Sequence, residues 1–431
     1  MRDATRSLWA PLKIGSWLTP ERVRVYPALL LTFQAVAIAV VVNTSDGYHD
    51  LFGRPLGTDF AQVWSAGREV LAGHPEQPFD LAAHLAAQRA FFGPATDVYG
   101  WHYPPYFLAL AAGLALLPYA AALAVWQLST LPLYAAGVRR VLRGAGLSGR
   151  DVLVAALAFP AVFLNLMHGQ NGLLTAGLFA AALLCLETRP WLAGTLFALL
   201  AYKPQFALVI PIALLAGRHW RVLLAGSATL FLLTTLSVAA FGLQTWMAFQ
   251  QSLGFTRNVV LEQGNIGWEK IQSVFSGVRM LGGSIAEAYA LQAAVTAVVI
   301  AAIAWLWHSP ADARLKCAAL PLGALLATPY CLDYDMVLLG PAIAFLVAHG
   351  LEKGFVPFEK TLLAAAWLVP LVARLVAKLS YMPLGPMVML ALFVAIVLHA
   401  IRELAPAKVV ILELSSSGES ESPSHLQPLI R

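Results

Sequence analysis

From Tyr26 to Ile401 the chain returns repeatedly to Leu- and Ala-rich runs near the length that crosses a bilayer, about 20 residues. So many runs of that length exceed what a water-soluble core can bury. The rest of the composition agrees. Of 431 residues, 59% are hydrophobic and 12% charged, where an ordinary soluble domain carries roughly 25% charged residues. The expected fold is an all-α membrane protein, a polytopic helical bundle of about twelve transmembrane helices, each near the bilayer-spanning length. It forms one unit over 26–402, with a cytoplasmic N-terminus at 1–25 and a cytoplasmic disordered tail at 403–431 that is rich in Ser, Glu and Pro from Ser415 onward. The formal charge of +5 does not point to nucleic acid, because the basic residues fall in short clusters between apolar runs, as cytoplasmic loops do. Cys185, Cys317 and Cys331 show neither CxxC nor metal spacing.

Charge sets the topology. Arg2, Arg6, Lys13, Arg22 and Arg24 precede the first apolar run, Tyr26–Val42, with no small-residue cleavage site after it, so the start reads as an uncleaved signal anchor with a cytoplasmic N-terminus. The expected location is the bacterial inner (plasma) membrane. Outer loops then fall at 43–118 and 242–284, and Phe60–Ala72 and Phe79–Phe92 in the first have helical periodicity suited to interfacial helices. Pro104–Leu117 reads as a half-inserted helix stopped by Pro118. With Tyr119–Val138 as the second span, Arg139, Arg140, Arg143 and Arg150, then Arg189, Arg218–Arg221, Arg314 with Lys316, Lys353 with Lys360, and Arg402 with Lys408 all face the cytoplasm. Arg374 and Lys378 lie against that bias, near the outer end of the eleventh span.

Polar residues beside apolar runs are costly, which makes them informative. Asp59, in Gly57-Thr58-Asp59-Phe60, reads either as a helix N-cap or as a functional carboxylate. Lys203, in Tyr202-Lys203-Pro204-Gln205, is either a snorkelling interfacial lysine or an anion site for a lipid-linked phosphate. Gly169-Gln170-Asn171-Gly172 is a tight turn whose amides can also bond a sugar or phosphate. Asp333 and Asp335 stand at a helix start, where negative charge is favoured; their DxD spacing also fits a divalent metal, but the expectation is no metal and no cofactor. His102-Tyr103-Pro104-Pro105 opens the half-inserted helix, and the second outer loop carries Arg257, Asn265, Trp268 and Lys270, a mixture suited to carbohydrate and phosphate or to solvent.

The order of these features resembles the polyprenol-phosphate-dependent glycosyltransferases of the GT-C superfamily, most closely glycosyltransferase family 87, which includes alpha-1,2-mannosyltransferases. The residues that carry the resemblance are Gly57-Thr58-Asp59-Phe60, Ala72-Gly73, Pro78-Phe79-Asp80, Tyr103-Pro104-Pro105, Gly169-Gln170-Asn171-Gly172, Lys203-Pro204 and Thr328-Pro329 leading into Asp333. The resemblance implies a GT-C-like fold and inverting transfer of a sugar, mannose or another hexose, from a polyprenyl-phosphate donor to a hydroxyl of a lipid-linked or glycan acceptor on the extracytoplasmic face. It implies Asp59 as general base, and donor or substrate contacts from Lys203, Gln170, Asn171, His102, Tyr103, Arg257, Asp333 and Arg374. One departure is visible. Where family members carry a Trp-Asp-His-His type stretch, this chain has Leu332-Asp333-Tyr334-Asp335, so no histidine role carries over. The alternative function is a transporter or flippase of lipid-linked sugars, for which internal repeats and midplane charges are the usual marks.

Overall fold

A computed structural model describes residues 9–405 of the chain. Arg2, Arg6, Lys408 and the Ser415–Arg431 stretch lie outside the described residues, as does most of the expected tail. The described residues are helical and contain no strand, only isolated bridges at Asp46–His49, His49–Pro55 and Ile271–Leu332.

After a short helical segment at 9–14 comes α1 (Pro20–Asn43), capped by the Thr19 side chain, which accepts from the Arg22 amide, and started by a proline whose missing N–H costs nothing in the first turn. The first connection holds α2 (Phe60–Leu71) and α3 (Leu81–Phe92), with Asp80 capping α3 through the amides of Ala82 and Ala83. The helical periodicity of α2 suits a helix lying at an interface. Nine of its twelve residues are buried instead, because Gly67 lets its backbone close against Ala111 of α4 (Leu108–Ala115), leaving no room for a Cβ. A turn at Pro105–Phe107 leads into α4, which stops before Pro118. Then follow α5 (Tyr119–Val141), α6 (Gly149–Leu157), α7 (Pro160–His168), α8 (Gly172–Cys185), α9 (Pro190–Leu199) and α10 (Val209–Ala216).

The long helix α11 (Trp220–Phe255) is broken at Gly242, whose φ of +80° only glycine adopts readily. The segment expected to be outer loop from 242 thus remains helical as far as Phe255. After a π-helical stretch, Thr256–Glu262, come α12 (Val274–Met280), α13 (Ile285–His308), α14 (Ala313–Leu326), α15 (Leu339–Lys353), α16 (Glu359–Ser380) and α17 (Leu384–Leu404).

Among the described residues, seven helical stretches are long and apolar enough to cross a bilayer: Pro20–Asn43, Tyr119–Val141, Trp220–Glu262, Ile285–His308, Asp333–Lys353, Glu359–Ser380 and Leu384–Leu404. The pair α6 and α7, bent by 52°, makes an eighth if taken as one broken span. Asp333–Lys353 is the most enclosed of the seven, while α1 is mostly exposed along its length.

Candidate active site

The connections 168–172, 202–204 and 328–335 meet the first long loop and the segment after Phe255 around one cavity of about 340 Å3. That lies near the low end of the roughly 300–1,000 Å3 common for small-molecule sites. Its wall includes Asp59, His102, Tyr103, His168, Gln170, Lys203, Lys270, Tyr330, Asp333 and Asp335.

Asp59 occupies the N-cap position of α2, yet its side chain makes no capping bond. Its amide donates to the His168 carbonyl (3.1 Å), which fixes the backbone, and its Oδ2 accepts from Gln170 Nε2 (2.9 Å). The carboxylate therefore turns away from its own helix toward the cavity. Gln170 is steered in turn by the Tyr103 hydroxyl, which donates to its Oε1 (3.3 Å). Gly169, with φ +60°, ends α7 in the left-handed conformation and lies against Phe60 and the Gly57 carbonyl, so this turn and the Asp59 turn are packed as a pair. Thr58 Oγ1 sits 2.9 Å from His168 Nδ1, and that nitrogen is 4.0 Å from Asp59 Oδ2.

Lys203 breaks the chain between a 3-10 turn, Leu200–Tyr202, and the single helical turn Pro204–Ala207. A residue before proline is disfavoured in the helical region, and Lys203 leaves it with φ −116°, ψ 78°. The side chain does not snorkel: it is buried, ion-paired to Asp335 Oδ1, and flanked by the rings of Phe206 (5.4 Å) and Tyr334 (5.3 Å). Asp335 Oδ2 accepts from the Leu332 amide (3.0 Å), while Asp333 Oδ1 accepts from the Tyr334 amide (2.9 Å) and its Oδ2 lies 3.9 Å from Arg374 Nη1. The DxD carboxylates are thus spent on different partners: Asp335 on a lysine and its own turn, Asp333 on an arginine. The bridge between Ile271 and Leu332 holds the second loop on this turn and brings Lys270 to the cavity. Lys270 forms no ion pair among the described residues.

His102 Nδ1 is 2.7 Å from Thr256 Oγ1. Burial, with His84 nearby opposing a further positive charge, lowers the His102 imidazole to about 4, so at neutral pH it is an uncharged hydrogen-bonding group. Tyr330 and Tyr99 are pushed upward by burial, with carboxylates near them adding to the effect, and remain protonated donors.

Residues 101–329 match the family described as Glycosyltransferase family 87. The chain belongs to that family. It is therefore a glycosyltransferase, with helices suited to a membrane. No curated protein and no solved structure matches it. The matched residues of this family 87 chain include His102, Tyr103, Gln170, Lys203 and Lys270, while Asp59 and Asp333 reach the same cavity from outside the match.

Six of the nine residues singled out in the sequence stand on the cavity wall: Asp59, His102, Tyr103, Gln170, Lys203 and Asp333. Three do not. Asn171 is buried behind the turn, where its backbone carbonyl accepts from Tyr202 (3.1 Å) and its side-chain amide atoms have no partner among the described residues. Arg257 is 68% exposed and bonded to Glu262 (2.8 Å) on the flank of the loop. Arg374 reaches the site only through Asp333. Tyr330, Tyr334 and His168 also line the cavity and carry no signal of their own in the sequence, while Lys270, a cation of the polar second loop, joins them there.

Proposed function

We propose that this family 87 chain moves a hexose, such as mannose, from a polyprenyl-phosphate donor to a hydroxyl of a lipid-linked or glycan acceptor, on the extracytoplasmic side of a bacterial inner membrane. The observation that supports this most strongly is the carboxylate of Asp59. It stands at a helix N-cap without capping, held by Gln170 through one oxygen, on the wall of a cavity that also holds Lys203 and Lys270.

In this reading Asp59 takes the proton from the acceptor hydroxyl as that oxygen attacks the anomeric carbon. The bond from that carbon to the donor phosphate breaks, and its electron pair leaves with the phosphate, so the anomeric configuration inverts. The departing phosphate is already anionic and requires no general acid. It requires positive charge, which is worth most in a site that excludes water. Lys270 supplies it directly. Lys203, neutralised by Asp335, contributes an oriented ammonium rather than net charge, and Arg374 offsets Asp333 behind it. No metal and no cofactor takes part in this transfer.

A GT-C-like arrangement with twelve crossings follows if the seven long stretches and the bent pair are joined by α8, α9, the Pro204–Ala216 segment and α14. The test is to give purified protein a panel of polyprenyl-phosphate sugars with membrane lipid extract as acceptor. A new glycosidic bond with inverted anomeric configuration supports the reading. Retention of configuration overturns the mechanism, and movement of labelled lipid across liposomes without any new bond favours a transporter.

A further inference from the structure

At the end of the bundle away from the cavity, the last three long helices bring together a second set of side chains. His349 on α15 lies eleven residues beyond Leu338, about 16 Å along the axis at 1.5 Å per residue. Beside it, α17 presents His399 and Glu403, four residues apart and so on one helix face, and α16 opens with Glu359.

The side chains converge on one point. His349 Nε2 is 2.8 Å from Glu403 Oε1, and His399 Nε2 is 4.0 Å from the same oxygen. The two imidazoles are 4.5 Å apart, edge to face. One ligand-capable atom from each of His349, His399 and Glu403 lies within 4.8 Å of the other two. Both histidines and Glu359 are buried, while Glu403 is exposed, its side chain by 25%, and opens the cluster on one side.

Two features separate this from an ordinary buried hydrogen-bond network. Glu359 and Glu403 form no ion pair with any Lys or Arg among the described residues: Glu403 faces the two histidines, and Glu359 faces His399 with one oxygen and accepts from the Val356 amide (2.8 Å) with the other. A buried carboxylate beside a second, part-exposed one with no cation between them is costly, because charge removed from water must be compensated locally. In addition, both imidazoles turn a nitrogen toward the same carboxylate oxygen, which can satisfy one of them well but not both. Three lone-pair-bearing atoms facing one point is the arrangement a cation takes.

We propose that His349, His399 and Glu403 bind a divalent transition-metal ion of the zinc class, with a water in the fourth position on the open side. Imidazole and carboxylate together suit zinc and its neighbours, and ligand distances of about 2.0–2.2 Å are reached from this arrangement by small side-chain movements. Glu359 Oε1 lies 3.4 Å from His399 Nδ1, where a carboxylate orients a metal-bound imidazole and raises its basicity. The ion clamps α15, α16 and α17 together and balances the two carboxylates. This inference is independent of the reading of the cavity.

The test uses full-length protein in detergent, stripped with a chelator, then given Zn2+ for stoichiometry and thermal unfolding and Co2+ for its visible absorption. The expected result is one Zn2+ per chain, a rise in Tm, and Co2+ bands of tetrahedral type. His349→Gln with His399→Gln abolishes all three, while Glu359→Gln retains the site with affinity lowered about 10–100-fold, as for loss of an orienting partner. If the double variant does not fold, His399→Gln alone is read by Co2+ absorption. Absence of Zn2+ binding by wild type, or binding that survives loss of the histidines, overturns the proposal.

Discussion

Lys203 and Asp335 lie 132 positions apart in sequence and form a buried ion pair. Breaking such a pair from one side leaves an uncompensated charge, at a cost of about 3–5 kcal/mol. Lys203→Met is therefore expected to lower thermal stability in detergent strongly, and Lys203→Met with Asp335→Asn to recover much of the loss. Recovery of stability without recovery of sugar transfer assigns the lysine to the donor; no recovery contradicts the buried pairing. His102 makes a second residue-scale prediction. Its imidazole is held near 4 in the folded chain, against about 6.5 when unperturbed. Between those values the unfolded chain binds a proton that the folded chain does not, so the folded state is penalised as pH falls from about 6.5 toward 4. The Tm of wild type falls across that window, and His102→Gln makes the fall shallower; equal slopes contradict this assignment. Asp59 and Lys203 were legible in the sequence because each is a charged residue beside an apolar run, where the bilayer makes charge expensive. Their partners were less so. Asp335 reads locally as half of a DxD, and its bond to Lys203 is a long-range fact that no local spacing encodes.

At the scale of elements, the site depends on turns whose conformation is set by single residues. Gly169 ends α7 at φ +60° and abuts Phe60 and Gly57. Gly169→Ala is expected to cost about 1–2 kcal/mol for the left-handed conformation alone. Because Gln170 follows directly and holds Asp59, it should also lower kcat for transfer by more than the lost stability explains. Unchanged kcat in a folded Gly169→Ala protein contradicts the coupling of the two turns. This glycine and Gln170 were legible as a turn. The burial of α2 was not, since its amphipathic pattern fits an interface and a protein groove equally, and only the contact of Gly67 with Ala111 decides. Arg257 and Lys270 show the same limit: both are cations in one polar loop, and the Ile271–Leu332 bridge determines which of them reaches the cavity. The histidines of the α15–α17 cluster gave no signal, because each stands alone within an apolar run.

Across the whole molecule, two kinds of connection alternate from α5 onward. The links 168–172, 202–204 and 328–335 build the cavity. The links between them carry Arg139 to Arg150, Arg189, Arg218 to Arg221, Arg314 with Lys316, and Lys353 with Lys360. Ion pairs tie those basic links to one another and to the start of α1 at one end: Arg24 of α1 with Asp151 (3.2 Å), His219 with Glu187 (4.0 Å) and Arg314 with Glu352 (2.6 Å). A basic concavity lined by Arg139, Arg140 and Arg143 also lies on these links and holds no carboxylate. The positive-inside bias then predicts the cavity outside. In intact cells an impermeant thiol reagent should label Asn265→Cys, and Ser148→Cys only after permeabilisation. The reverse pattern inverts the topology. This alternation was legible from charge, whereas the folding of the short segments between α7 and α11 was not, since helices well short of 20 residues give ambiguous spanning signals.

The most direct measurement compares glycosidic bond formation by purified wild type and Asp59→Asn, with matched Tm, a polyprenyl-phosphate sugar as donor and membrane lipid extract as acceptor. Loss of a positioned base predicts a fall in kcat of about 10²–10⁴-fold with the protein still folded. Transfer by Asp59→Asn at the wild-type rate contradicts the account.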